Sequence, residues 1–470
     1  MDVSNKKVPF QKVEEFTGTI YNEFVIVENL FIVITYHEDK SGPISGKVIG
    51  SDEIYQKMNV LYNSPSRNYK LEANSSGKKI TSKNLNFKRL TQKITYDSVA
   101  KNLLYEVASF ELLDLEILHE RDFDNKERVI VFSLFGPTNV WQVFQIKTLN
   151  SNGEIKNDIK NYKLNICKGF SIKLEPEYFY DDHLEDENIQ LSTNIISLII
   201  KTKIEEDELP DEKFIKKSQD IADKLILLGS FLCKSWIVWY KYSLVTHCKI
   251  VEYYKRTRKT EIKKINFDEY FINDFQIKDF LNSAFLKLTD LKLNGYDLTL
   301  PITYFINSKQ AIYLEEEFVT SFLSLEKIKD YYSIKNKLYP ILRNNNFKKI
   351  KKILTFELEK NITDPVKLER MIQKLPDLNR PTLKSVIMDL LNEFNVIWTD
   401  IYPISSDFSL ISTRDKLVHS IEKIKIDNLF KEVMRLEILL IRLILSMLGW
   451  KDLSKTAKQY QIKFLTKNEV

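Results

Sequence analysis

With 470 residues, 43% of them hydrophobic, the chain is long enough for two or three domains with sizeable cores. Charged residues make up 29% yet cancel to a formal +5, so the overall charge does not single out a nucleic-acid binder. Three cysteines without C-x-x-C spacing argue against a disulfide framework and against a zinc site.

Met1–Lys7 has no apolar h-region. Leu436–Trp450 carries Glu437 and Arg442 and is too short to span a bilayer. The expected location is the cytoplasm, with no membrane contact.

The expected fold class is α+β, in three segments. Residues 1–205 read as a β-rich sandwich or barrel. Phe24–Val27 and Leu30–Tyr36 are β-branched and aromatic runs, as are Arg128–Phe135 and Val140–Ile146, with Gly136-Pro137-Thr138-Asn139 as the turn between the last two. Ile195–Ile200 is a further apolar run. Ser64–Ser82, with Asn74-Ser75-Ser76-Gly77, reads as a polar loop. The acidic runs Asp181–Glu187 and Glu205–Glu208, with Asp52, Asp114 and Glu116, would be the place to look for a divalent metal, but solvated loops account for them better. His183 reads as a surface histidine.

Residues 206–300 read as a mixed helix–strand region. Pro210 marks a boundary, and Asp211–Leu232 has helical spacing of Ile215, Ile221, Leu225, Leu228 and Phe231. Ser235–Val245 then reads as an aromatic strand. Tyr253–Lys259, with Lys263 and Lys264, interleaves aromatic and basic residues. Such a pattern suits either a single-stranded nucleic acid or an edge strand with a charged, aggregation-blocking end.

Residues 301–470 read as a bundle of about five helices in roughly 165 residues. Phe305–Tyr332 is predicted as one helix, with Ile312, Leu314, Phe318, Phe322, Leu325 and Ile328 as its apolar stripe. Lys337–Leu358 supplies another helix or two, Leu383–Ile397 a further one, and Asp427–Leu448 a nearly all-buried one. Asp407 or Ser409 is the expected cap of the helix carrying Arg414. From Pro301 onward there are 28 Lys+Arg and 21 Asp+Glu, a net +7, which leaves −2 for the first 300 residues. The basic excess lies in the helical segment, and Lys348, Lys349, Lys351 and Lys352 give it one wet, positive face.

Chemistry of the Gly-rich kind is disfavoured. Gly42, Gly46 and Gly50 lack the P-loop ending, and no G-x-S-x-G or H-E-x-x-H occurs. No metal or cofactor is expected. The pattern that carries chemistry is Arg414-Asp415-Lys416-Leu417-Val418-His419. An arginine grips a phosphate with a planar fork of donors, and a histidine moves protons near neutral pH. Together they suffice for RNA cleavage without a metal, because the ribose 2′-OH supplies the nucleophile.

Arg-(Asn/Asp/His)-x-x-x-His near the end of an all-helical domain resembles the HEPN ribonucleases. The surrounding chain is most similar to the ApeA-type branch of anti-phage, abortive-infection proteins. The resemblance covers roughly Ile302–Trp450; Asp415 fits the second position, and Phe318–Glu326 resembles the first bundle helix of ApeA-like members. It implies a metal-independent endoribonuclease with Arg414, Asp415 and His419 as catalytic residues and RNA, transfer RNA among the candidates, as substrate. It also implies a homodimer through the helical domain and a phage-derived trigger. Lys348, Lys349, Lys351, Lys352 and Lys416 are the expected RNA contacts. The alternatives are a catalytically inactive HEPN-type dimerisation or sensor scaffold, and an RNA-binding protein. On a regular helix, positions 414 and 419 are about 140° apart around the axis. Either Arg414 sits in a kinked first turn, or two chains share one site.

Overall fold

The structure is a computed structural model that describes residues 11–37, 44–96, 103–120, 127–136, 147–148, 162–167, 169–179, 190–203, 210–246, 248–255, 271–272, 276–402, 409–419, 424–456 and 459–466. Two compact units emerge, residues 1–229 with 236–265, and residues 230–235 with 266–470. The first is built on strands and the second on helices, so the chain is α+β.

The first unit begins with β1 (Gln11–Tyr21), β2 (Ile26–His37), β3 (Ile44–Gly50), α1 (Asp52–Tyr62), β4 (Tyr69–Ser75), β5 (Lys78–Tyr96) and β6 (Leu103–Leu112). Hydrogen bonding runs β4–β1–β2–β3–β6, and β5 pairs both β4 and β6. That closes a six-stranded antiparallel barrel with no free edge among these strands. Alternation explains what fills it: β4 buries Tyr69, Leu71 and Ala73, and β2 buries Leu30, Ile32, Ile34 and Tyr36. Met58 and Leu61 of α1 join the same core. Two glycines allow the closest approaches. A Cβ on Gly18 would stand 2.2 Å from the Ala73 Cβ, and one on Gly46 would stand 2.1 Å from the Phe110 ring.

Barrel strand β5 also begins an open sheet. Its first residues pair β7 (Asp114–Glu120), which leads into β8 (Glu127–Phe135), β9 (Lys147–Thr148), β10 (Tyr162–Leu164), β11 (Ser171–Phe179), β12 (Gln190–Lys203), α2 (Asp211–Leu232), β13 (Val238–Val245) and β14 (Lys249–Lys255). The order is β5–β7–β14–β13–β8–β12–β11–β10, antiparallel throughout, with β9 beside β12.

Several expectations change here. The two runs at residues 24–36 are one strand, β2, from Ile26 onward. Only residues 64–68 of the expected loop Ser64–Ser82 are irregular; from Tyr69 it is β4 and the start of β5, with Ser76-Gly77 as the tight turn between them and Gly77 at φ +71°. Short polar residues mark such a turn and an open loop alike, so composition alone misreads it. Helix α1, whose Ile54, Met58 and Leu61 fall at helical spacing, interrupts the segment expected to be β-rich. The middle region 206–300 forms no unit of its own, because β13 and β14 complete the sheet of β8 and β7. Strand β14 is therefore interior, not an edge. Its Tyr253 stacks on Tyr242 at 5.1 Å, and Lys255 sits 4.8 Å above the Trp239 ring. Val140–Ile146, the acidic runs 181–187 and 205–208, His183, residues 256–264 and Asp407 lie outside the described residues.

The helical unit contains α3 (Ile277–Leu293), α4 (Thr299–Ser308), α5 (Leu314–Lys335), α6 (Asn344–Asn361), α7 (Pro365–Lys374), α8 (Leu383–Glu393), α9 (Ser409–His419), α10 (Ile426–Met447) and α11 (Gln459–Thr466). Eight helices, not five, thus follow residue 298 among the described residues. Helix α5 is the hub and packs on α4, α8, α9 and α10. Helix α10 buries Leu436, Leu439, Leu440, Leu443 and Ile444, as its apolar pattern requires.

The expected single helix Phe305–Tyr332 is broken at residues 309–313. Tyr313 is extended, and Ile312, assigned above to the buried stripe, is 83% exposed. The break lets Lys309 turn inward. Its ammonium donates to Glu317 at 2.6 Å and to Glu437 at 2.7 Å, and Glu437 also takes Lys234 at 2.7 Å. Helix α8 stops at Glu393, short of Ile397, because Asn395 takes a left-handed φ of +51°.

Burial alone would raise the Glu437 carboxyl, but Lys309 and Lys234 overcome it and hold it well below the ordinary 4.5. Burial would likewise lower the Lys309 ammonium, and Glu437 and Glu317 raise it instead. The stabilisation from Glu437 is therefore present above pH 4.5 and is lost as pH falls through the lowered value. Glu437→Gln takes a carboxylate from each of two lysines, Lys309 and Lys234. A fully buried pair broken this way costs about 3–5 kcal/mol, and a side chain one-fifth exposed is expected to cost about 2–4. Denaturant unfolding followed by far-ultraviolet circular dichroism reads the loss; a loss below about 0.5 kcal/mol would show that the network contributes nothing.

Candidate functional site

Helix α9 places the Arg414–His419 pattern. Leu410 and Thr413 are buried and Leu417 is half-buried, so the spacing i, i+3, i+7 forms its inward stripe against α5 and α10. Ser409 opens the helix, but its hydroxyl donates to Glu432 of α10 at 2.6 Å instead of capping its own turn. Arg435 holds the same Glu432 oxygen at 2.6 Å, and its guanidinium lies 5.3 Å above the Tyr402 ring. Arg435 also donates to the Leu465 carbonyl in α11. Burial, then the Glu432 charge, pushes the Tyr402 hydroxyl well above its ordinary value despite Arg435, which acts the other way. This network fixes where α9 begins relative to α10 and α11.

Arg414 sits beside the inward stripe with about a quarter of its side chain exposed. Its guanidinium donates to Asp415 Oδ1 at 3.0 Å and to Glu326 Oε1 of α5 at 3.4 Å. Asp415 and Lys416 are exposed. Arg414 is the sixth residue of an unbroken eleven-residue helix, so it does not occupy a kinked first turn. His419 is the last residue of that helix, about 140° round the axis from position 414; its side chain lies outside the described residues.

The structure thus brings Arg414 and Asp415 together and adds Glu326, which no sequence motif marks. Glu326 closes the Phe318–Glu326 segment, and its one visible signal was a carboxylate next to Leu325 on an otherwise apolar stripe. The lysines are elsewhere in the unit. Lys348, Lys349 and Lys352 are exposed and Lys351 is half-buried on α6, which packs on α7 and the turn Leu375–Asn379. Among the described residues no group of three or more His, Cys, Asp or Glu side chains is placed to hold a metal ion. Asp114, one of the acids considered for that role, accepts from Ser82, Lys83 and Asn84 and so ties β5 to β7. No helix among the described residues is long and apolar enough to cross a membrane.

Comparison with family models, curated proteins and solved structures gives no match to this chain.

Chemically, the arrangement is an arginine fork held by two carboxylates in partly wet surroundings. An RNA phosphodiester offers two non-bridging oxygens to the same fork with a single negative charge, as a carboxylate does, and so competes with them for it. Glu326→Gln removes one competitor for the fork. Because both partners are about a quarter exposed, the variant is expected to lose no more than about 1 kcal/mol of stability. It is expected to bind a short RNA oligonucleotide several-fold more tightly in a fluorescence-anisotropy titration. Equal affinity would place Arg414 outside any RNA contact.

Proposed function

We propose that the helical unit is a metal-independent endoribonuclease of the HEPN type, serving an abortive-infection response to phage. The observation that carries this reading is Arg414 itself, a partly exposed guanidinium on a firmly anchored helix, five residues before a histidine and paired with carboxylates for which a phosphate can compete. In this reading the Arg414 fork binds the scissile phosphate. His419 takes the proton of the ribose 2′-OH as that oxygen attacks phosphorus, and the 5′-oxygen of the next nucleotide leaves and is protonated. The products are a cyclic 2′,3′-phosphate and a 5′-hydroxyl end. Asp415 orients Arg414 from the adjacent position. Lys416 lies on the same helix for a flanking phosphate.

A straight α9 supports pairing of two chains. Positions 414 and 419 point too far apart on one helix to serve one small site, so the Arg414 of one chain is best matched with the His419 of another. A homodimer through the helical unit supplies that geometry.

His419→Ala is expected to lower RNA cleavage by about 10²–10⁴ while the fold persists. Arg414→Lys is expected to be severely impaired as well, because an ammonium keeps the charge without the fork. Incubation with total and transfer RNA followed by end mapping measures both. A folded His419→Ala chain that cuts at the full rate would leave the helical unit as a scaffold.

Cleavage is expected to continue in excess EDTA, since the ribose hydroxyl supplies the nucleophile and the arginine the charge stabilisation. A strict need for magnesium or manganese would instead direct attention to the acidic runs at 181–187 and 205–208.

A further inference from the structure

The basic excess of the helical segment is concentrated in one place. Residues 337–380 hold 11 Lys+Arg and 5 Asp+Glu, a net +6, against +7 for all of residues 301–470. This stretch contains α6 and α7, neither of which has a single buried residue. Helix α6 turns Phe347, Leu354 and Leu358, all half-buried, toward its neighbours, yet it also leaves Ile350 at 41%, Ile353 at 64% and Phe356 at 64% exposed. Val366 and Met371 of α7 are exposed at 57% and 47%. An 18-residue helix whose second apolar stripe is left exposed among the described residues is an interaction surface.

Charge along α6 indicates what covers it. Lys348, Lys349, Lys351 and Lys352 occupy its first half, and Glu357 and Glu359, followed by Lys360, its second. The helix is therefore complementary to itself when reversed. If two copies cross antiparallel about a two-fold axis at Ile353, the two Ile353 side chains meet at the centre. Ile350 then lies level with Phe356 of the other copy, and Lys349 level with its Glu357. The Lys349–Glu357 match then occurs twice, once on each side of the axis, as an isologous contact requires. A polyanion such as RNA would match the lysines but would meet Glu357 and Glu359 and leave the isoleucines uncovered.

We infer that α6 is a self-association surface, through which two copies of this chain pair antiparallel about Ile353. This names a pairing surface and stands whether or not Arg414 and His419 cut RNA. An 18-residue helix is about 27 Å long, so its single seam lies at the small end of stable interfaces, and the pairing is expected to be concentration-dependent.

Sedimentation equilibrium of the nucleic-acid-free full chain tests it. The native chain is expected to dimerise, and Ile353→Asp, at an exposed position, is expected to weaken dimerisation at least about tenfold without loss of helix content. Two charge variants sharpen the test. A chain with Lys348→Glu, Lys349→Glu and Lys352→Glu has an acidic α6, and one with Glu357→Lys and Glu359→Lys has a basic α6. Each alone is expected to be monomeric, and an equimolar mixture is expected to form heterodimers. The inference is overturned if the native chain is monomeric, if Ile353→Asp dimerises like the native chain, or if the mixture stays monomeric. Association that occurs only when RNA is added would also overturn it, and would make α6 a nucleic-acid surface.

Discussion

The helical unit depends on one inward-turned lysine. Lys309 ends α4, and its ammonium is shared between Glu317 of α5 and Glu437 of α10, which also holds Lys234. Four charges from four segments come nearly out of water together, and each has a partner of opposite sign. Such a cluster is costly to assemble and very costly to break, so it restricts how α4, α5 and α10 can sit. The break between α4 and α5 follows from it. A continuous helix would carry Lys309 past the carboxylates that neutralise it. Arg442 does the same further along α10, with a bidentate pair to Asp400 at 2.6 and 2.8 Å and further bonds to Thr456 and the Ile397 carbonyl. Glu437 and Arg442 are both charges on the largely buried α10, and each is paired with groups of opposite sign.

Helix α9 depends on that frame. It packs on α5 and α10, the two helices that the Lys309 cluster joins, and its first residue is tied to α10 through Glu432 and Arg435. Arg414 is held from α5 through Glu326. A group meant to meet a phosphate benefits from this arrangement. Its backbone is fixed, whereas the pairing of its guanidinium with Asp415 and Glu326 is partly exposed and of modest strength. The two halves of the chain use different solutions to the same polar problem. The strand unit closes its first six strands into a ring and so leaves few backbone groups unpaired there. The helical unit satisfies its buried charges by pairing.

Much of this was readable from residue order, and the exceptions have a common cause. The helix Asp211–Leu232 matches its sequence-based bounds, and the strands at Leu30–Tyr36, Arg128–Phe135 and Ile195–Ile200 lie where β-branched runs occur. Each shows its own periodicity within a short window. The hairpin at Ser76-Gly77, the break at residues 309–313 and the end of α8 at Glu393 were misplaced. Those positions are decided by a partner distant in sequence, or by one backbone angle that several residue types tolerate. At the candidate site, Arg414 and Asp415 were visible as a pattern, and Glu326, 88 residues earlier, was not. The register between α5 and α9 brings them together, and no local signal encodes that register.

The sequence by itself determined the α+β class, a strand-rich first part, a helix-rich second part, and the concentration of positive charge in the latter. These follow from period, propensity and composition, which act over a few residues. Only the tertiary structure decided that the strands close into a barrel and continue as one sheet through β14. It likewise decided that α9 is unbroken at Arg414, and that α6 exposes a second apolar face. Closure, ion-pair matching and burial each depend on which distant residues meet, and that is settled when the whole chain packs.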